Sequence, residues 1–519
     1  MVHVRLAPLG ARRLLLRMTL RKALARALET HAPALSESGC LRLHTVFSRP
    51  LLVRSLYPLA HIHPSDACTP PDAPAHVWQE QVLITAAWRP DDGDERLAYA
   101  LELYVYTLPE QSAALVYVSK LDTTGYGPRA HPRRIRTHLP GVYSQAPSMT
   151  STLTSAAIDY FASRMHWARS DSVAVQHVSV HVLARAQGAY LFPSSAAQAS
   201  KHVLSDAALI RWWHACLSDV VRACHDAGHV DAFYLIPGYQ RLDSHAIVPI
   251  AQEPSRSSGG AWHYGHPYSE KGSGRTAETL PPLPLHAAAW EPYRSHLTPS
   301  AAMQLRTLAT LIPVFPDDPK GRYINELCST AHEPGFLPKI HKGHKPAPEH
   351  REAMAERQAL EKVSIDAFWE QMGFRQECSS GNAVGVFVVG ASARDAPSTT
   401  TPLPPEAQPL SLPHPLLPNL MLQHLQQDAC VWSDAAQATR LTRQFYEGVD
   451  RALRRKGGAS SRDDDALVGE GLVWLTVPLA AVSRDMVAQA EQRACEVVPA
   501  ARGTDAPVRM LGVKRRRRS

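Results

Sequence analysis

Residues 97–106 have the sequence LAYALELYVY, in which two kinds of side chain alternate. The leucines and the valine would face one side of a β-strand, and Glu102 and the tyrosines would face the other side. This alternation predicts a half-buried strand. Residues 114–119 and 173–183 predict strands of the same kind, and the continuous apolar run VGVFVV at 384–389 predicts a fully buried strand.

Helical spacing of apolar residues predicts the elements between these strands. The predicted helices lie at about 149–168, 205–224, 300–311, 364–375 and 433–456. Strands and helices are therefore mixed over the first 390 residues. We predict a single α/β domain with a mixed central sheet surrounded by helices and with long loop insertions.

Changes in composition mark the boundaries of that domain. Stretches rich in Ser, Gly, Pro or charge are expected on the surface, because long segments without regular structure are rare inside a core. The predicted segments are a basic N-terminal extension at 1–17, the α/β domain at 18–392, loop insertions at about 252–285 and 329–362, a Pro-rich linker at 393–416, a C-terminal helical part at 417–505 that packs on the domain, and a basic tail at 506–519.

Overall composition narrows the class of protein. Apolar residues make up 45% of the chain and charged residues 20%, which is typical of a folded globular protein. No apolar run is long enough to span a membrane, so we predict no transmembrane helix. The eight cysteines are scattered without a C-x-x-C spacing, which argues against a zinc-finger or disulfide framework.

Charge gives two competing indications of the cellular compartment. The net charge of +7 favours acidic partners or phosphate-bearing ligands. The first acidic residue is Glu29, and the arginine-rich stretch before it can resemble a mitochondrial transit peptide or an extension upstream of a start at Met18. The C-terminal run Lys514–Arg518 is typical of nuclear import or of an acidic partner, and we predict a nuclear protein.

The segment around residue 205 is the first of three with candidate chemistry. The predicted helix begins at Ser205, a good N-cap residue, just after Lys201 and His202. The free N–H groups of a helix N-terminus, together with these two side chains, could receive a phosphate or acyl-carrier group. In the same helix, one indole of the pair Trp212 and Trp213 can pack while the other faces elsewhere, although both could simply fill the core.

Two further segments place carboxylates beside basic residues. Asp122 follows a predicted strand in LDTTGYG at 121–127, and an arginine-rich loop comes next, which suits an anionic cofactor. In FPDDPKGR at 315–322, Pro319 favours extended backbone at the residue before it, so that neighbouring Asp side chains point to opposite sides. One carboxylate can then face a cleft while the other binds the scaffold, although an ordinary turn can contain the same residues.

In combination, these segments resemble the fungal histone H3 lysine acetyltransferase family, which is distantly related in fold to the metazoan CREB-binding-protein acetyltransferases. The matching pieces occur in the family's order and are LELYVY…LVYVSKLDTTGY at 101–126, YLFPSS…KHVLS…RWW at 190–213, LIPGY at 235–239, FPDDPKGRY at 315–323 and FWEQMGFRQECSSG at 368–381. The resemblance covers roughly residues 40–390 and implies transfer of acetyl from acetyl-CoA to lysine side chains of histone H3.

The resemblance implies roles in catalysis for five residues. Asp318 matches the family's acid/base carboxylate, and Asp317 is its neighbour. Asp122 is a competing carboxylate. Trp213 matches the aromatic wall of the channel for the substrate lysine, with Tyr190 nearby, and an indole suits the apolar stem of a lysine.

The resemblance also implies a self-acetylated lysine and a set of contacts with acetyl-CoA, and no metal. The lysine that the family acetylates on itself matches Lys320. The expected cofactor contacts are Leu121, Asp122, Thr123, Arg133, Arg134, Leu183, Gln187, Lys201, His202, Val203, Leu204, Trp212 and Arg322. Leu183 and Gln187 depart from the family pattern, and because an aromatic residue is usual at the first position, no stacking role is expected for Leu183.

Partners follow from the same resemblance. The family acts with histone chaperones in chromatin assembly, DNA replication and the DNA-damage response. Implied partners are histone H3, as H3–H4, and acidic histone chaperones. We expect no membrane association and no direct sequence-specific binding to nucleic acid. The candidate docking residues for a chaperone are Lys514, Arg515, Arg516, Arg517 and Arg518.

Three other classes of protein are alternatives. A non-catalytic histone- or nucleic-acid-binding chromatin module would use the same basic surface and aromatic residues. The other large acetyltransferase superfamily has an R-x-x-G-x-G/A loop, and the nearest approach to it, at Arg185, is broken by Tyr190. A metal enzyme would need further ligands at established spacing beside pairs such as His225 and His229, and the sequence has none.

Overall fold

The computed structural model describes a large part of the chain. The described residues are 19–30, 35, 37–53, 56–57, 59, 77–109, 112–129, 134–136, 143–145, 148–167, 175–225, 228–248, 262–267, 307–332, 348–375, 382–393, 410–454 and 474–479. The predictions for the extension at 1–17, for Arg133, and for the tail at 506–519 with its basic run lie outside these residues.

A mixed β-sheet of ten strands forms the centre of the described part. The strands of the molecule are β1 (Gly39–Phe47), β2 (Leu51–Val53), β3 (Val77–Pro90), β4 (Arg96–Leu108), β5 (Ala113–Thr123), β6 (Arg134–Arg136), β7 (Tyr143–Gln145), β8 (His177–Ala184), β9 (Gly228–Leu235), β10 (Trp262–Tyr264), β11 (Gly385–Ala393) and β12 (Trp474–Leu479). The sheet order is β10-β9-β11-β8-β5-β4-β3-β1-β12, with β2 beside β3. The pairs β5–β8 and β9–β10 are parallel and the other pairs antiparallel, while β6 and β7 form a separate ribbon.

Helices cover both faces of the sheet. They are α1 (Leu20–Thr30), α2 (Met149–Ala162), α3 (Asp206–His225), α4 (Arg241–Ser244), α5 (Leu308–Leu311), α6 (Pro319–Ser329), α7 (Pro348–Glu361), α8 (Ile365–Met372), α9 (Leu416–Met421) and α10 (Ala435–Arg454). One apolar core lies under α1, α2 and α3, and α9 and α10 pack against the opposite face. The predicted fold class is confirmed. Within the described residues, no helix is long and apolar enough to cross a membrane.

Strand β4 is buried on both faces, not half-buried as its alternation predicted. Glu102 is only 2% exposed, and Tyr106 is also buried. The turn before α6 covers this second face: the ring of Phe315 stacks on Tyr106 at 5.7 Å and on Tyr117 at 4.4 Å. The alternation of β4 thus separates two cores, and its polar face belongs to the interior.

Several segments predicted to be loops contain regular structure. Helix α7 lies within the predicted insertion at 329–362, and β10 lies within the insertion at 252–285. In the predicted linker at 393–416, Leu412 is buried and bridges to Ser48. The C-terminal part is not only helical, because β12 pairs with β1. Short strands such as β10 and β12 gain their hydrogen bonds from partners distant in sequence, so local periodicity does not reveal them.

Candidate active site

The carboxylate of Asp122, near the end of β5, is surrounded by hydrogen-bond donors. Its Oδ2 accepts from the N–H groups of residues 190, 191 and 192 at 2.7, 2.9 and 3.2 Å. Its Oδ1 accepts from the N–H of Thr123 at 2.8 Å and from the ammonium of Lys201 at 2.7 Å. Because donors use both oxygens, this side chain is built to hold the 190–192 loop in place.

Lys201 is turned inward, away from the position expected of a phosphate contact. Its ammonium donates to Asp122 and also to the hydroxyl of Ser195 at 2.7 Å, and its side chain is only 5% exposed. A buried lysine of this kind neutralises the carboxylate beside it. The next residues, His202 and Val203, are exposed, so this part of the expected cofactor segment is accessible.

Tyr190 belongs to the loop that Asp122 holds, because its backbone N–H donates to that carboxylate. Its hydroxyl donates to the carbonyl oxygen of Arg185 at 2.6 Å. Burial raises the pKa of Tyr190 to about 12, with Arg185 opposing the rise and with Asp122 and Asp317 adding to it. At neutral pH its phenol is an uncharged donor that is already engaged.

The C-terminal part of the chain holds the loop that contains Tyr190. The indole of Trp432 packs edge-on against Phe192 at 4.9 Å, and its backbone N–H donates to the carbonyl oxygen of Pro193 at 3.2 Å. The N–H of Ser433 donates to the hydroxyl of Ser194 at 3.3 Å. The segment before α10 thus supports the active-site loop by packing and by hydrogen bonds.

Asp318 is the N-cap residue of α6. Its Oδ1 accepts from the N–H of Lys320 at 3.0 Å, and its Oδ2 accepts from the ammonium of the same lysine at 2.5 Å. The Asp318 side chain is 0% exposed and that of Lys320 is 7% exposed. Of the two neighbouring acids, Asp318 is therefore the one bound to the scaffold.

Asp317 occupies the accessible position of the pair. Its side chain is 66% exposed, with one oxygen 3.6 Å from the ammonium of Lys120 and the other 4.0 Å from the guanidinium of Arg322. Its backbone is in the left-handed region, at φ 53°. The resemblance pointed to Asp318 as the acid/base group, whereas the structure exposes the carboxylate of its neighbour.

The ammonium of Lys320 lies in a pocket of aromatic rings. It is 5.2 Å from the ring centre of Phe315 and 5.8 Å from that of Tyr117. The same pocket contains His181 and His266. Burial, and then Lys320, lowers the pKa of His266 to about 3, and the same two causes lower the pKa of His181 well below its usual value. Both imidazoles are therefore neutral, and the cation is stabilised by Asp318 and by the ring faces.

Glu102 is a buried acid. The sequence predicted its position on the polar face of a strand but no role for it in the site. Its Oε1 accepts from the amide of Gln81 at 2.6 Å. Its Oε2 accepts from the hydroxyl of Ser119 at 2.8 Å and from the ammonium of Lys120 at 3.3 Å. Glu102 and Lys120 face each other across β4 and β5. The sequence could have indicated this pair only if the strand register had been known.

The two neighbouring indoles of α3 differ in exposure. Trp213, expected in the wall of a lysine channel, is 4% exposed and packs in the core under α3. Trp212 is half-buried, and the two rings meet edge-to-face at 5.0 Å. The structure thus gives Trp213 the core role that the sequence left open and makes Trp212 the more accessible indole.

The remaining residues of the expected cofactor site are spread over several elements. Gln187 and Arg322 are exposed, and the half-buried set is Leu121, Thr123, Leu183 and Leu204. Arg134 lies in β6. Among the residues that the structure describes, no group of three His, Cys, Asp or Glu side chains is arranged to hold a metal ion.

Comparison with known proteins identifies two relatives by sequence. The histone acetyltransferase rtt109 of Aspergillus flavus is 26% identical over 315 residues, which cover 57% of this chain and 44% of that protein. The histone acetyltransferase rtt109 of Schizosaccharomyces pombe is 26% identical over 296 residues, which cover 56% of each protein. The chain therefore spans about half the length of the curated relatives it matches.

The fold and the family are shown by two further matches. The crystal structure of Rtt109 from Aspergillus fumigatus superimposes with a TM-score of 0.55 at 20% identity, over 90% of this chain and 100% of that one, and it has the same fold. The model of the histone acetyltransferase KAT11-type domain matches residues 142–449, from just before β7 through most of α10. Since this range is more than half of the sequence, the chain belongs to the KAT11-type histone acetyltransferase family.

Proposed function

We propose that this protein is a lysine acetyltransferase that transfers the acetyl group of acetyl-CoA to lysine side chains of histone H3. The observation that supports this most directly is the exposed carboxylate of Asp317, beside the ammonium of Lys120, in a chain of this family. An acceptor lysine is protonated at neutral pH, with a free pKa of about 10.4, so a nearby base or desolvation must remove its proton. Among Asp122, Asp317 and Asp318, only Asp317 presents an accessible carboxylate for that task.

The three acids have different tasks in this proposal. Asp317 accepts the proton of the acceptor amine, directly or through water. Asp318 fixes the start of α6 by capping it and by binding Lys320, and so sets the position of the residue before it. Asp122 fixes the 190–192 loop and holds Lys201. This distribution favours Asp317 as the base over the other two carboxylates.

Acetyl-CoA supplies the acetyl group as an activated thioester. The exposed segment of His202 and Val203 immediately precedes α3, where free N–H groups of a long helix can receive phosphate oxygens. Trp212 adds an accessible ring to the same helix. Arg322 is an exposed cation beside the Asp-Asp turn and would contribute to holding an anionic ligand there.

Lys320 is the proposed site of self-acetylation. Acetylation removes its charge, while the amide N–H that remains can still donate to Asp318. The added methyl group would lie near the rings of Phe315 and Tyr117. Because the lysine side chain is only 7% exposed, its amine has to leave this pocket before it can react.

The proposed setting is the nucleus, with H3–H4 as substrate and acidic histone chaperones as partners, in chromatin assembly, DNA replication and the DNA-damage response. The basic run Lys514–Arg518 is the proposed chaperone contact. Attraction between such a run and an acidic protein is screened by salt. Deleting residues 513–519 should therefore weaken chaperone binding at low salt more than at high salt.

The test is incubation of the full chain with acetyl-CoA and H3–H4, with and without an acidic histone chaperone, followed by peptide mapping of histone and enzyme. We expect acetyl groups on H3 lysines and on Lys320, with more product when the chaperone is present. The matched control is Asp317→Asn, which should bind H3–H4 but acetylate it about 10²–10⁴-fold more slowly. Binding without acetylation by the unmodified chain would identify a non-catalytic chromatin module instead.

A further inference from the structure

Lys120 connects the interior of the sheet to the exposed acid of the site. Its ammonium is 3.3 Å from an oxygen of Glu102, whose side chain is 3% exposed, and 3.6 Å from an oxygen of Asp317, whose side chain is 66% exposed. The lysine side chain itself is 22% exposed. It thus lies at the border between core and solvent, with one acid on each side.

The inner end of this connection is rigid. Glu102 is held through Oε1 by Gln81 and through Oε2 by Ser119, both with short hydrogen bonds of 2.6 and 2.8 Å. Glu102 and Lys120 are also paired residues of adjacent strands, β4 and β5. Strand pairing and hydrogen bonds thus fix the position of the Glu102 carboxylate independently of the turn that contains Asp317.

The outer end of this connection, Asp317, is exposed to solvent. Asp317 has a left-handed backbone at φ 53°, is mostly exposed, and has only Lys120 and the more distant Arg322 as ionic neighbours among the described residues. Surface ion pairs contribute little to folding stability. The contact with Lys120 therefore orients the Asp317 carboxylate and contributes little to the stability of the fold.

We infer that Lys120 is a positioning residue of the acceptor site: anchored by Glu102, its ammonium holds the Asp317 carboxylate in the direction of the acceptor lysine. The inference rests on the proposed acetyltransferase function. A misplacement of about 1 Å in a reacting group can lower a rate by about a hundredfold, so a device that fixes an exposed carboxylate matters to turnover. The same cation disfavours a second ammonium nearby, which helps the acceptor amine to lose its proton.

The experiment is a double-mutant cycle that combines Lys120→Met with Asp317→Asn. Lys120→Met keeps the length and the apolar stem and removes the charge. We expect it to lower kcat for H3–H4 by roughly tenfold to a hundredfold and to leave the KM for acetyl-CoA within about twofold. In the Asp317→Asn background the same change should have no further effect, because Lys120 acts through the missing carboxylate. Lys120→Arg should restore most of kcat.

The control is Arg222→Met, which breaks a surface ion pair with Asp219 in the last turns of α3 and should leave kcat unchanged. If the effects of Lys120→Met and Asp317→Asn multiply independently, Lys120 does not act through Asp317 and the inference is wrong. It is also wrong if the KM for acetyl-CoA and the melting temperature change while kcat does not. If Lys120→Met fails to fold, Lys120→Gln replaces it in the cycle. A wild-type chain that acetylates no histone would overturn the proposed function itself.

Discussion

Asp122 and Asp317 are both acids of the proposed site, and they differ in their surroundings. Asp122 is 6% exposed and both of its oxygens accept from N–H groups or from Lys201. Asp317 is 66% exposed and has only long ionic contacts, at 3.6 and 4.0 Å. A carboxylate whose lone pairs are all used organises its neighbours, whereas one with free lone pairs can exchange protons with a substrate.

This contrast separates two roles of an acid: contact with the substrate and support of a loop. The presence of an acid in a family motif does not distinguish a group that touches substrate from a group that holds a loop. Hydrogen-bond donors around the carboxylate make that distinction. Asp318 belongs with Asp122 in this respect, because Lys320 binds both of its oxygens.

The largest expected effect is on turnover, for Asp317→Asn. Removing a positioned general base lowers a rate by about 10²–10⁴-fold, so kcat should fall by that factor. Stability should stay within about 0.5 kcal/mol, because the side chain is exposed and Asn tolerates a left-handed backbone. Steady-state kinetics and thermal unfolding of the same preparation measure both quantities. An unchanged kcat would remove Asp317 from the mechanism.

The next effect is on folding, for Asp122→Asn. The variant leaves the ammonium of Lys201 buried without its carboxylate, and breaking such a pair costs about 3–5 kcal/mol. We expect the free energy of unfolding to fall by that amount and activity to fall with the folded fraction. The double variant with Lys201→Met should regain part of the loss, because no buried charge is then left unpaired. Denaturant titration by circular dichroism is the measurement.

A fully stable Asp122→Asn protein with no activity would reverse the comparison. Asp122 would then be the acid that meets the substrate, and its contacts with residues 190–192 would be incidental to its task. The matched control is Asp231→Asn, a buried acid on β9 at a distance from the loop, which contacts His229 at 2.8 Å. Its effect should be limited to stability.

Much of the fold followed from periodicity. Several long elements were predicted close to their observed bounds, as for α10, predicted at 433–456 and observed at Ala435–Arg454, but the longest strand, β3, was not predicted. Long amphipathic segments repeat their pattern often enough to outweigh local exceptions. Strands β1, β3 and β9 were not predicted, and neither were the short strands β10 and β12, whose partners lie far away in sequence. Strand β4 was predicted as half-buried because nothing local indicates the turn that covers it.

The sequence named candidate residues for the proposed site but not the surroundings of each side chain. Pro319 does favour an extended backbone at Asp318, which has φ −96° and ψ 122°. It says nothing about Asp317, whose left-handed backbone determines which acid is exposed. The pairing of Asp122 with Lys201 joins positions 79 residues apart, and that of Glu102 with Lys120 depends on a register that shifts beside it. Such contacts are products of the tertiary structure.

Tyr190→Phe has the smallest expected effect. It tests whether the Tyr190 phenol supports the loop, as Asp122 does, or contacts the reacting groups. The N–H of Tyr190 donates to Asp122, yet its hydroxyl already donates to the carbonyl oxygen of Arg185, and burial raises its pKa to about 12. A phenol in that state neither gives up its proton near neutral pH nor has its donor free for a substrate. Removing it should cost about 0.5–1.5 kcal/mol of stability, the usual contribution of one hydrogen bond, and change kcat by less than about threefold. Kinetics from pH 6 to pH 9 should show the same profile for both proteins, since that pKa lies above the range. A hundredfold loss of kcat with unchanged stability would instead place the phenol in contact with the reacting groups, on the side of Asp317.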